Sequence, residues 1–142
     1  MRWPLPDEYP HLYVEFLYLF NKKRDYYECH EVLEDLWLEE GRHPLYQGLL
    51  QVAVALHHFR NDNVNGAVKL FRSALAKLRP FPDDSLGIDL GKVKGDVQEY
   101  LAHLEQYDRQ PIDFYDLTIA IHDAKLKELV GEVAIRERRT AD

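Results

Sequence analysis

His30 and Glu34 stand four residues apart, the spacing that places two side chains on one helix face. An imidazole beside a carboxylate can ligate a metal, pass a proton or form a fixed hydrogen bond. Glu31 lies at the margin of the same face. A second polar set follows in Gln47, Gln51 and His58. At about 100° per residue these three fall within about 40° of one another, and only Val54 shares their stripe. Polar groups on an otherwise apolar helix must find partners, or each costs roughly 1–3 kcal/mol.

Three chemistries fit these residue types. In the first, His30, Glu34 and His58 are metal ligands; two histidines and a carboxylate with an open position suit zinc or ferrous iron. In the second, a small polar ligand meets Glu34 as base and His30 or His58 as acid, hydrolytic chemistry included. Glu31, Gln47 and Gln51 would orient that ligand, with Trp37 lining the pocket. In the third, the same residues form a hydrogen-bonded network that fixes helix register.

Two stretches must position these groups. Leu45 to Arg60 is apolar on nearly every side and too short to cross a bilayer, so it is expected to be a buried central helix. Asp25 to Glu40 is expected to be the second helix, started by Asp25 with Glu28 three residues on and stopped by Gly41. On its wheel, Tyr26, Cys29, Leu33, Leu36 and Trp37 lie to one side of His30, and Tyr27 and Leu38 to the other. His30 and Glu34 are therefore expected inside the apolar arc. The short loop between these helices makes them antiparallel neighbours. The simplest arrangement faces His30, Glu34 and Glu31 toward Gln47, Gln51 and His58.

The remaining elements are helical too. His11 to Phe20 reads as a first helix, Asn63 or Asn65 to Leu78 as a fourth, Asp89 to Tyr107 as a fifth, and Asp123 to Arg136 as a last. Residues 80–85 form a loop. Asp113 to Ile121 reads equally as extended or helical. The fold class is all-α, a single-domain up-down bundle of five to six helices spanning residues 1–142.

A net charge of -7 disfavours a general nucleic-acid surface. Arg136, Arg138 and Arg139 read as a solvated tail. Cys29 is the sole cysteine, and Met1 to Pro10 lacks the apolar core of a signal peptide. A cytoplasmic protein with no membrane partner is expected. A homo-oligomer through the apolar 112–121 segment is one alternative. Cys29 is expected to be an inert apolar residue. His57 lies about 100° from His58 and is not expected to chelate with it. Glu99 and His103 read as a surface pair. Glu8 and His11 share a Glu-x-x-His spacing that Pro10 interrupts.

The runs FNKKRDYYECHEVLEDLW (residues 20–37) and QGLLQVAVALHHFRNDNVNGAVKLF (residues 47–71) resemble the domain of unknown function 309 family. The matching positions are Phe20-Asn21, Tyr27, Glu28, His30, Glu31, Glu34 and Trp37, then Gln47, Gly48, Gln51, His58, Asn63, Gly66 and Ala67. The likeness covers roughly residues 15–105, leaving an extension from about 108 to 142. It implies an all-helical protein and brings no assigned activity. Asp62 stands where the family commonly has Gly, so a less tight turn is expected there. Because the motif positions are largely the polar ones, the resemblance favours a functional pocket over a purely architectural network. The alternative is a helical interaction module whose polar cluster is architectural.

Overall fold

The computed structural model describes residues 9–141, with side chains described through 138. Six α-helices follow in order: α1 (His11–Tyr18), α2 (Tyr26–Glu39), α3 (Pro44–Arg60), α4 (Val64–Leu78), α5 (Leu90–Glu105) and α6 (Ala124–Ala141). α3 packs against α2 on one side and α4 on the other; α5 lies on α4, and α1 lies between α2 and α6. Among the described residues no strand forms, only an isolated bridge between Ile88 and Ile121. The all-α single domain is the one the sequence dictates.

Local signals set the helix ends. The Asp25 side chain accepts from Glu28 N–H at 3.0 Å, Asn63 from Gly66 N–H at 2.9 Å, and Asp89 from Lys92 N–H at 2.9 Å. Each satisfies an amide that has no intrahelical partner. Pro44 occupies the first turn of α3, and His43 Nδ1 accepts from Leu45 N–H at 3.2 Å. Gly41 (φ 70°) and Arg42 (φ 63°) turn left-handed to reverse the chain into α3. Asp62 also takes a left-handed φ of 65°. The Asn63 N–H still reaches His58 O at 2.8 Å, so the turn closes tightly with Asp62 in it. Asp is among the few residues that tolerate this conformation. The expectation of a looser turn is corrected.

α1 ends differently from expectation. It runs on into a π-helical turn, Leu19–Lys23, which Arg24 closes at φ 56°. Inserting a residue this way rotates the side chains that follow, and Asn21 turns toward the C-terminal half. The segment 111–123 has no regular secondary structure beyond the bridge at Ile121 and crosses the bundle as a strap. Asn21 bonds both backbone groups of Ile119, and Arg24 holds Leu117 O and Thr118 Oγ1. The Tyr26 hydroxyl donates to Asp116 at 2.5 Å, and the Tyr100 ring stacks on Tyr115 at 4.1 Å. Leu117 and Ile119 are buried against the chain's own core. These two residues are thus covered within the molecule, whereas Tyr115 of the same segment stays exposed.

The core is aromatic and aliphatic. Tyr13, Phe16, Phe20, Tyr26, Tyr46, Phe71 and Tyr100 are fully enclosed, and no charged or strongly polar residue is buried among the described residues. Cys29 sits in this core, where burial raises its thiol pKa and keeps it inert. No helix among the described residues is long and apolar enough to cross a membrane.

Candidate functional site

Helix α3 is not buried all round, and this is the first correction. Leu45, Leu49, Val52, Ala53, Leu56 and Phe59 face the core, whereas Gln47, Leu50, Gln51, Val54, His57 and His58 form an outer stripe that is only partly buried. Its neighbours α2 and α4 flank it without covering that side.

The second correction concerns α2. The wheel placed His30 and Glu34 inside an apolar arc because Tyr27 and Leu38 bounded it. Tyr27 is 56% exposed and Leu38 49% exposed, so this edge of the arc is surface. Glu34, between them, is exposed as well. Its carboxylate meets His30 Nε2 at 3.0 Å, and Glu31 stands 3.8 Å from His30 Nδ1. The pairing is real, but it lies in water rather than in the interior.

Geometry also separates the two polar sets. His58 leans away from α2: its Nδ1 accepts from Asn63 Nδ2 at 3.1 Å, beside the start of α4. That contact puts the proton on Nε2. Gly48, on the same side of α3, lies so close to α4 that a Cβ would meet Leu78 Cδ2 at 2.7 Å. It is His57 that meets α2, with its ring 5.6 Å from that of Tyr27. Sequence reasoning set His57 aside because it is 100° from His58. That same 100° is what turns it toward the neighbouring helix. Its pKa is lowered first by burial and then by the nearby His58, Arg60 and His30, with Asp25 opposing.

Among the described residues no three His, Cys, Asp or Glu side chains come together in an arrangement that could hold a metal ion. His30 and Glu34 engage each other and His58 engages Asn63, so the proposed ligand set does not converge. Trp37 is half-buried, and Arg42 lies over its ring at 5.5 Å. The Trp37 Nε1 and Gln51 Oε1 atoms are buried without a hydrogen-bond partner. Gln47 sits half-buried on the outer stripe of α3. The Glu99–His103 pair is on the surface at 3.8 Å, as its spacing suggested. Glu8 lies outside the described residues, and so does the side chain of Arg139.

Open grooves lie elsewhere. One runs between α4 and α5, past Val68, Arg72, Leu104 and Tyr107. Two more flank α1 where α6 crosses it, lined by Glu15 and Val133 in each case. None is lined by His30, Glu31, Glu34, Trp37, Gln47, Gln51 or His58.

What the outer side of α2 presents is a line of exposed side chains. Tyr27, Glu31, Glu34 and Leu38 follow one another along α2 at i, i+4, i+7 and i+11, a single outward line. His30 and His57 border that line on the α3 side.

A family model described as Domain of unknown function (DUF309) matches residues 13–70, from α1 into α4. The chain is 34% identical over 127 residues to the uncharacterized protein YpuF of Bacillus subtilis (strain 168), covering 84% of this chain and 70% of that one. It is 33% identical over 84 residues to an uncharacterized protein of Aquifex aeolicus (strain VF5), covering 57% of this chain and 25% of that one.

Proposed function

This chain belongs to the DUF309 family, and from that premise we propose that it is a non-enzymatic interaction module that docks a partner polypeptide on the outer face of α2 and α3. Part of the family pattern serves the fold. Asn21 ties down the strap, Gly48 lets α3 approach α4, Asn63 caps α4, and a Cβ at Gly66 would meet that cap at 2.6 Å. Tyr27, Glu31 and Glu34 have no such task, and all three stand in solvent.

The observation that carries the reading is the exposed line from Tyr27 to Leu38. Exposed large apolar side chains are few among the described residues, and two of them, Tyr27 and Leu38, stand on one helix line. Isolated exposed apolar residues need no explanation, but a patterned pair rimmed by charge is the anatomy of a docking surface. Rings of Tyr and His supply contact area at low cost in side-chain entropy.

The small-ligand and metal readings draw support from the His30–Glu34 pair. They draw none from His58, which faces Asn63. The interaction reading does not need His58.

The test is a photocrosslinking amino acid introduced at position 27 or 38, with positions 98 and 103 as exposed controls on α5. The expected result is one polypeptide adduct shared by positions 27 and 38 and absent from the controls. Adducts that are equal at all four positions, or missing at 27 and 38, would overturn the reading.

A further inference from the structure

Resting on that docking face, we propose that its occupant is a basic amphipathic helix of another polypeptide. The chain carries 25 Asp and Glu against 18 Lys and Arg. Seven of those acids lie in residues 25–40 (Asp25, Glu28, Glu31, Glu34, Asp35, Glu39 and Glu40), with no Lys or Arg among them. The rest of the chain therefore holds 18 of each sign, and the whole net charge of -7 resides in α2 and its ends. Among the described residues none of these seven carboxylates pairs with a lysine or arginine; Glu31 and Glu34 meet only His30.

Charge and shape coincide on one line. Tyr27 and Leu38 are about 16 Å apart along the axis, three helical turns. The carboxylates of Glu31 and Glu34 lie between them. A second helix laid along this line covers the two apolar ends with its own apolar residues and sets its cations against the two glutamates. The charges of opposite sign then meet between two apolar contacts of one helix-on-helix line. Electrostatic complementarity of this kind chooses the partner and speeds its arrival more than it adds affinity.

Other occupants meet opposition. A second copy related by a two-fold axis would set carboxylates against carboxylates. Anionic lipid and nucleic acid are repelled by the same charge. The chain's own Arg136 lies in a groove beside α1, on α6.

The probes are two synthetic helical peptides of about 18 residues with the same leucine stripe, one otherwise lysine-rich and one glutamate-rich. Binding is read by fluorescence anisotropy at low and high salt, against the wild-type protein and two charge-matched variants. The first is Glu31→Lys/Glu34→Lys; the second is Glu99→Lys/Asp113→Lys, at exposed positions elsewhere. The expected result is a preference of about tenfold or more for the lysine peptide, weakened by salt, inverted by the first variant and kept by the second. Equal loss in both variants, or no binding of the lysine peptide to the wild type, would overturn the inference. The crosslinks at positions 27 and 38 separate the two levels. Should they capture a polypeptide through a segment that is not basic, the docking face stands and its basic occupant falls. Should they capture nothing, the docking face falls.

Discussion

Asn21 and Ile119 exchange two hydrogen bonds across 98 residues of sequence: Asn21 Nδ2 donates to Ile119 O at 2.8 Å, and Ile119 N–H donates to Asn21 Oδ1 at 2.8 Å. The side-chain amide imitates one rung of a β-ladder and binds the strap to the bundle.

Asn21→Ala removes both bonds and leaves two part-buried backbone groups without partners. The expected loss of stability is about 2–3 kcal/mol. Asn21→Asp keeps the acceptor for Ile119 N–H and loses the donor, so it should fall between. Urea unfolding measures both, and amide exchange over residues 117–121 should accelerate selectively in the alanine variant.

Gly48→Ala places a methyl group 2.7 Å from Leu78 Cδ2, inside a fully packed contact between α3 and α4. Overpacking there should cost about 1–3 kcal/mol. Combined with Leu78→Ala, the glycine substitution should cost less than it does alone in the wild-type background. A thermal-unfolding double-mutant cycle reads that coupling.

His43 packs against the rings of Tyr46 and Phe81, and its Nδ1 must stay unprotonated to cap α3. Burial lowers its pKa from the ordinary 6.5, with Glu40 opposing, and His57 is lowered in the same direction. The folded state therefore binds fewer protons than the unfolded one. Their contribution is complete above about pH 6.5 and is lost as pH falls through the lowered values. His43→Asn keeps an Nα-capping side chain without titration. Its melting temperature should decline less steeply than that of the wild type between about pH 7 and pH 5. Identical slopes would contradict this.

Glu34→Gln and His30→Gln should each change stability by under about 1 kcal/mol, the scale of an exposed i, i+4 pair. A buried network would lose about 3–5 kcal/mol. Urea midpoints distinguish the two cases directly.

Helices, caps and turns were legible in the sequence because they are written locally. Asp25, Asn63 and Asp89 act as caps because a side-chain oxygen can reach an amide three residues on, whatever lies around it. The site was legible only as a set of residues. A helical wheel gives angles on one helix but not what stands beside it. It put Tyr27 and Leu38 on the core side and so enclosed Glu34, and it grouped His58 with α2 when α4 claims it. The strap was undecidable because Asn21, Arg24, Tyr26 and Tyr100 hold it from at least 15 residues away. No window of neighbouring residues contains those contacts.

Tyr27 and Leu38 are both about half in water. Tyr27→Ala/Leu38→Ala should leave the melting temperature nearly unchanged, within the range of ordinary surface substitutions. A large fall would assign these side chains to the fold instead of to a partner.

The most direct measurement is the yield of the photocrosslink at position 27 with Leu38 intact and with Leu38→Ala. If one partner lies along the whole line, removing the far anchor should reduce the yield at position 27 by about tenfold, the weight of a single docking anchor. An unchanged yield would mean that residues 27 and 38 do not serve one surface, and would contradict the docking face.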